Sequence, residues 1–364
     1  MLPTPTMYFC GLGSATPGAR YTKSECLQAF EQSAWLARLD ARSLLVVRSV
    51  LQRDNGIEAR WLALDSLAEV FSIDPNTLAR RFERHAPVLA ANAGRRALDH
   101  AGVDARAIDA VVVSTCTGSL CPGLTGHVIE RLGLRADVLA FDLVGQGCAA
   151  ALPNLQLARA LLGSGACEQV LSVCVEVSSA AMYLDDDPGV LISACLFGDG
   201  AGAAVLARVP AALSRAPQPR RVAWVDSTSV TLPAQREALR FEHRDGLLRN
   251  VLTRAVPALA AQHAWAVFET VGARAGLVPA DIGAWIVHAG GRDVLRALAQ
   301  RFELAPGDFR HSAAVLRDYG NLSSAFVYFV LEAALANGAP DGWWWLTSFG
   351  AGFSCHGALL EVGS

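Results

Sequence analysis

AGVDARAIDAVVVS (residues 101–114) and AGLVPADIGAWIVH (residues 275–288) are one pattern written twice. At a shift of 174 (275 − 101), Ala101-Gly102-Val103 falls on Ala275-Gly276-Leu277 and Ile108 on Ile282. Ala110 then falls on Ala284, and Val111-Val112-Val113 on Trp285-Ile286-Val287. Each copy reads as a helix closed by glycine, a short loop, and a buried strand of consecutive apolar residues. The first strand runs into Ser114 and the second into His288.

Two more matches follow in the same order. Leu157–Ala166 overlays Val330–Ala339 at a shift of 173, both as the end of an apolar helix closed by glycine. Carried backwards, the same shift places Gly147-Cys148 on Gly320-Asn321. Phe197-Gly198-Asp199-Gly200 matches Phe349-Gly350-Ala351-Gly352 at a shift of 152, each ahead of a closing strand. Three ordered matches predict two structural halves, residues 1–212 and 213–364, joined near 208–221 by a proline-marked surface linker. The fold class is therefore α/β. Residues 149–162 and 322–336 are apolar nearly all round, which predicts two buried helices. Packed about a pseudo-twofold axis, they would bring Cys148 and Asn321 together, with His288 arriving from a strand end.

Composition removes several classes. The 364 residues are 52% hydrophobic and 18% charged, enough for a large core. A net charge of −3 gives no footprint for nucleic acid. Lys23 is the only lysine, which removes a P-loop Gly-Lys pair. No apolar run reaches the ~18 residues of a membrane span. Met1–Phe9 holds two prolines and lacks a basic start, so no signal peptide is read. Nine cysteines, mostly in apolar runs, fit reduced thiols in the cytoplasm.

Cys148, His288 and Asn321 stand apart because all three fall at repeat-matched positions. A cysteine at a helix N-terminus beside an imidazole is expected to have a depressed pKa and to form a thiolate–imidazolium pair. Asn321 offers an amide donor to a developing oxyanion or enolate. Other buried cysteines (10, 167, 174, 195 and 355) are read as structural. His85, His100, His243, His263 and His311 are read as surface or capping residues. Cys116 with Cys121, and Cys355 beside His356, form no pair of pairs at zinc spacing, so no metal site is predicted. Residues 198–202 imitate a dinucleotide loop but lead into a strand, not a helix.

The motifs 142–148 (DLVGQGC), 197–200 (FGDG), 287–291 (VHAGG), 320–325 (GNLSSA) and 349–353 (FGAGF) together resemble the type III polyketide synthases, relatives of chalcone and stilbene synthases. The resemblance runs from about Tyr8 to Val362. The intervals of 140 residues from Cys148 to His288 (288 − 148) and 33 from His288 to Asn321 (321 − 288) are similar to the family's. It implies a thiolase-like, five-layer αβαβα fold of two duplicated halves acting as a homodimer. It further implies that Cys148 carries the starter and the growing chain. His288 and Asn321 would polarise the malonyl thioester, and Phe197 would stand between CoA tunnel and cavity. Cys116, Cys121, Ser178, Ala181, Ser323, Gly350 and Gly352 match substrate-binding positions, and Arg53 a contact to CoA phosphate. No resident cofactor is implied; malonyl-CoA and acyl-CoA are substrates.

Small wall residues such as Ala181 favour a long-chain fatty acyl starter, giving alkylpyrones or alkylresorcinols as in bacterial members. Cys116 also resembles a cavity cysteine of tetrahydroxynaphthalene synthases, which use malonyl-CoA alone. A single-condensation ketoacyl synthase III working on a carrier protein is the remaining alternative.

Overall fold

The computed structural model describes residues 7–52, 54–208 and 220–363. Residues 209–219 of the expected linker, and Arg53, lie outside the described residues. The first half contributes strands β1 (Met7–Ala15), β2 (Ala19–Thr22), β3 (Ala59–Leu62), β4 (Ala110–Ser114), β5 (Leu139–Leu143), β6 (Gln169–Glu176) and β7 (Gly200–Ala207). Its helices are α1 (Lys23–Glu31), α2 (Ala41–Gln52), α3 (Pro75–Ala101), α4 (Leu124–Leu132), α5 (Ala151–Gly163) and α6 (Pro188–Leu196). The second contributes β8 (Arg221–Thr231), β9 (Leu239–Arg244), β10 (Leu247–Leu252), β11 (Ile282–Val287), β12 (Gly342–Gly350) and β13 (Ser354–Gly363). Its helices are α7 (Val256–Ala275), α8 (Arg292–Phe302), α9 (Arg310–Tyr319) and α10 (Phe326–Ala336).

Nine strands form one hydrogen-bonded sheet in the order β11-β12-β13-β8-β1-β7-β6-β4-β5. The order reads alike outward from its middle. β1 pairs with β8 only at Met7–Phe9, and beyond that junction lie β7, β6 and β4 on one side and β13, β12 and β11 on the other. The sequence-matched pairs β4/β11 and β7/β13 are thus equidistant from the junction. Pairing directions repeat as well: β4 runs parallel to β6 and β11 parallel to β12, the other main-sheet pairs on each side being antiparallel apart from edge strand β5. The helices before β4 and β11 both end on a left-handed glycine, Gly102 (φ 63°) and Gly276 (φ 70°). These correspondences support the reading of two related halves.

α3 packs on β1, β7 and β6, and α7 on β13, β8 and β12, as the two outer layers. Between the half-sheets lie α5, which touches β6, β4, β13 and β12, and α10, which touches β11, β1, β7 and β12. That stacking is the five-layer αβαβα arrangement. The inner helices are apolar all round because both faces meet a sheet: Leu152, Leu155, Phe326, Val330 and Leu331 are all buried in one core. β4, all apolar but for its last residue, and β7, apolar throughout, are fully buried, as strands covered on both faces require.

Two histidines depart from their expected surface places. His311 and His263 sit on the inward faces of α9 and α7 and are 4% and 9% exposed. None of the described helices is long and apolar enough to cross a membrane. Among the described residues no group of three or more His, Cys, Asp or Glu could hold a metal ion.

Candidate active site

Cys148 and Asn321 occupy matched positions, and the local backbone explains why both are preceded by glycine. Gly147 (φ +55°) and Gly320 (φ +74°) are left-handed, a conformation that favours glycine. A Cβ on Gly320 would also lie 2.9 Å from Leu196 O and 2.9 Å from Arg60 Cγ. Each buried helix opens not directly but through a 3-10 turn, Gly147–Ala149 before α5 and Ser323–Ala325 before α10. His288 is the first residue beyond β11, and its N–H bonds Thr347 O on β12 at 3.0 Å.

The three side chains line one pocket of about 470 Å³, together with Phe197 and Phe349. All are buried: Cys148 is 7% exposed, His288 and Asn321 2% each. The imidazole stands between the edges of Phe326 and Phe349, with ring centroids 5.4 and 5.5 Å away. Its Nδ1 has no hydrogen-bond partner among the described residues. Asn321 Oδ1 accepts from Ser323 N–H at 2.9 Å, while Nδ2 makes only a 3.4 Å contact with Gly290 O. The amide is therefore oriented by its oxygen, with its donor largely uncommitted. Asn321 N–H bonds Leu196 O, and Gly198 N–H bonds Asn321 O, each at 2.9 Å, so Phe197 and Asn321 are held backbone to backbone.

The expected low thiol pKa is corrected. Burial pushes the Cys148 thiol up to about 12, only partly opposed by the Ser323 hydroxyl, which donates to Sγ at 3.2 Å. Burial likewise pulls His288 down to about 3. Cys148 sits in the 3-10 turn ahead of α5, and a helix dipole weakens quickly with distance from the first turn. Desolvation wins over it. Neither group charges alone in so dry a setting.

Near Cys148 lies a buried carboxylate that the motifs do not single out. Glu176 ends the apolar strand β6 and is fully buried, which raises its pKa. It accepts from Thr117 Oγ1 (2.9 Å), Cys116 N–H (3.1 Å), Cys116 Sγ (3.3 Å) and the Ser324 hydroxyl. Ser323, at φ +51°, bridges this group to Cys148: its Oγ is 3.4 Å from Glu176 Oε1 and 3.3 Å from Cys116 Sγ. The visible signal was a charged residue closing a run of buried ones. Arg60 was also missed, lost among many arginines. It is 7% exposed and donates to Ala194 O (2.7 Å) and Phe197 O (3.1 Å) from inside the core.

Phe197 lines both the larger pocket and an inner pocket of about 30 Å³. Cys116, Ser178, Ala181 and Ser323 line that pocket as expected, joined by Met182, Phe241 and Asn250. Cys116, Thr117 and Phe241 also face an outer groove of about 550 Å³ between α3 and the β9–β10 hairpin. Three expected pocket residues line none of these spaces. Cys121 is exposed on the turn before α4. Gly350 instead packs against the backbone at Cys148: a Cβ there would lie 2.5 Å from Ala149 N and 3.0 Å from Cys148 N. Gly352 (φ +131°) forms the turn into β13. At the wall of the larger pocket Arg292 pairs with Asp54 at 2.9 Å, and exposed Arg254 has no ion-pair partner among the described residues.

Comparison with known proteins agrees along the whole chain. Residues 17–226 match the family described as FAE1/Type III polyketide synthase-like protein, and residues 225–362 match the C-terminal domain of chalcone and stilbene synthases. A 3,5-dihydroxyphenylacetyl-CoA synthase of Streptomyces toyocaensis is 30% identical over 99% of this chain and 91% of its own. A 1,3,6,8-tetrahydroxynaphthalene synthase of Streptomyces peucetius subsp. caesius is 34% identical over 75% of this chain and 72% of its own. The crystal structure of PKS-I from the brown alga Ectocarpus siliculosus superposes with a TM-score of 0.89 at 25% identity, covering 99% of both chains.

Proposed function

Because this chain belongs to the type III polyketide synthase family, we propose that it extends a Cys148-bound acyl group with malonyl-CoA and closes the product into a short hydroxylated ring, without a long alkyl tail. The observation that carries this reading is the size of the space behind Phe197. The larger pocket holds about 470 Å³ but the inner pocket about 30 Å³, room for only one or two waters by the usual measure. Ala181 is small, yet Met182 and Phe241 take up the volume it leaves. Two relatives, the 3,5-dihydroxyphenylacetyl-CoA and tetrahydroxynaphthalene synthases, make products whose names carry no alkyl chain.

In this reading Cys148 Sγ attacks the thioester carbonyl while its proton passes to His288, and the imidazolium returns that proton to the departing CoA thiolate. Asn321 Nδ2 and His288 then hold the thioester oxygen of malonyl-CoA as its carboxylate leaves as carbon dioxide, so the electron pair rests in an enolate. The enolate carbon attacks the Cys148 thioester; the new carbon–carbon bond forms as the thiolate is expelled. Phe197 and the apolar wall beside it favour loss of the carboxylate charge. Arg254 and Arg292 at the larger pocket, with Arg53, would meet CoA phosphates. CoA thioesters are the substrates and no resident cofactor enters. A second copy would pair along β5, an edge strand with Leu139 43% exposed and Val144, just beyond its end, 64% exposed; sedimentation at twice the chain mass tests that.

A long-chain fatty acyl starter is the second reading. The apolar space lined by Phe30, Val47, Leu51 and Phe71 shares Met182 and Ala194 with the inner pocket. Incubation with malonyl-CoA, with and without a panel of acyl-CoA starters, separates the readings by product mass, with Cys148→Ala alongside. A hydroxylated aromatic from malonyl-CoA alone supports the first. Alkylpyrones or alkylresorcinols formed only with a starter would transfer the assignment to the second. Condensation only with a carrier protein would overturn both.

A further inference from the structure

Pro153 stands in the first turn of α5, four residues after Ala149. In a continuous helix the N–H of residue 153 would bond the carbonyl of residue 149, and proline has none to give. The next carbonyl is paired in the ordinary way, Asn154 N–H bonding Ala150 O at 3.0 Å. The matched helix of the second half carries Phe326 at the corresponding place, which keeps its N–H, so the gap belongs to the Cys148 side alone. Ala149 is fully buried, and a carbonyl left open there would be stranded away from water.

Ser348 fills the gap from the other half of the chain. Its hydroxyl, on a fully buried residue, donates to Ala149 O at 3.0 Å. Its neighbours on β12 bear on the same centre. Thr347 O accepts the His288 N–H at 3.0 Å, and Phe349 meets the imidazole with centroids 5.5 Å apart. Gly350 packs so closely on the backbone of Cys148 and Ala149 that a Cβ would clash. The strand itself is fixed, since β12 pairs with β13 from Gly342 to Gly350 and Thr347 Oγ1 donates to His356 O at 2.8 Å. Residues 347–350 thus hold His288 on one side and the turn carrying Cys148 on the other.

We propose that Ser348 is a positioning residue for Cys148: by taking the carbonyl that Pro153 leaves open, it fixes the 3-10 turn and so the place of Sγ relative to His288 and Asn321. The inference rests on the role given to Cys148 above. The turn Gly147–Ala149 is closed by Ala150 N–H bonding Gly147 O at 3.1 Å, after a left-handed glycine. Such 3-10 bonds have poorer geometry than those of an α-helix, so a lone turn depends on what its other polar groups meet. Small displacements of a reacting group cost rate out of proportion to their size. Ser348 lines neither the larger pocket nor the inner one, so its effect on the chemistry passes through the backbone.

The test is alkylation of Cys148 by iodoacetamide, measured against exposed Cys121 by peptide mass spectrometry, which needs no polyketide substrate. Ser348→Ala should slow Cys148 about tenfold relative to the unaltered protein. Adding Pro153→Ala supplies an N–H to Ala149 O from within the helix, so the double variant should recover to within about threefold. An unchanged rate in Ser348→Ala would overturn the proposal. So would a slowed rate that Pro153→Ala does not relieve, because the loss would then lie in packing and not in the carbonyl. Should melting curves show Ser348→Ala unfolded, the double variant must fold; its failure to do so would count equally against the proposal. In condensation assays Ser348→Ala should lower kcat about tenfold with KM for malonyl-CoA kept, and a rise in KM alone would contradict a positioning role. Absence of condensation in the unaltered protein would sink the polyketide reading while leaving the alkylation comparison standing.

Discussion

Replacing His288 by Gln should silence the Cys148 thiol at neutral pH. Burial pushes this thiol up to about 12 when it must ionise alone. At pH 7.5 the thiolate share would then be 10^(7.5 − 12), about three in 10^5. With the imidazole present, the proton has an acceptor inside the same dry pocket and the resulting charges are paired. Gln keeps much of the ring's volume between Phe326 and Phe349 but cannot take a proton. The assay is alkylation by iodoacetamide, followed peptide by peptide by mass spectrometry, with exposed Cys121 as the reference thiol. Wild-type Cys148 should react about a hundredfold or more faster than the variant at pH 7.5, with a flat profile above neutrality. In His288→Gln the rate should climb about tenfold per pH unit up to pH 9, as expected of a thiol far below its pKa. Equal rates and equal profiles in the two proteins would refute the reasoning, since the thiol would then ionise without the imidazole.

The same histidine links stability to pH. Burial holds His288 at about 3 against an ordinary 6.5, so on acidification the unfolded chain takes up its proton first and stability falls as pH drops from 6.5 towards 3. His288→Gln should remove about 1.4 kcal/mol per pH unit from that slope between pH 6 and 4 in urea titrations, and identical slopes would count against the assignment. Gly350→Ala would force a methyl to within 2.5 Å of Ala149 N beside Cys148. It should cost about 1–3 kcal/mol and displace Cys148, read as a fall in kcat larger than any rise in KM. Arg254→Ala should raise KM for malonyl-CoA about three- to tenfold with kcat kept, the difference shrinking at high salt; an unchanged KM would remove Arg254 from the CoA path.

Much of the fold, and the meeting of Cys148, His288 and Asn321 in one space, was legible in the chain alone. Periodicity and self-similarity are local properties, so the buried strands β4 and β11, the glycine-capped helices before them, and the matched places of Cys148 and Asn321 could be read from order and spacing. His288 was legible for the same reason, as the first residue past a repeated strand. What only tertiary structure decided depends on residues far apart in sequence meeting in one dry volume. The ionisation of Cys148 belongs here: a helix start suggests an acidic thiol, but desolvation from all sides reverses the sign. The Glu176 network draws on Cys116, Thr117, Ser323 and Ser324, from both halves of the chain. Gly350 belongs to a motif yet packs under the backbone of Cys148, because a close approach between β12 and the 3-10 turn has no signature along the chain. The inner pocket is likewise a matter of packing: Ala181 suggests space, and Met182 and Phe241, the latter brought by a hairpin 60 positions away (241 − 181), take it back. Local sequence specifies which elements form and which residues they carry; the volume and dielectric around those residues are set only when distant elements close upon one another.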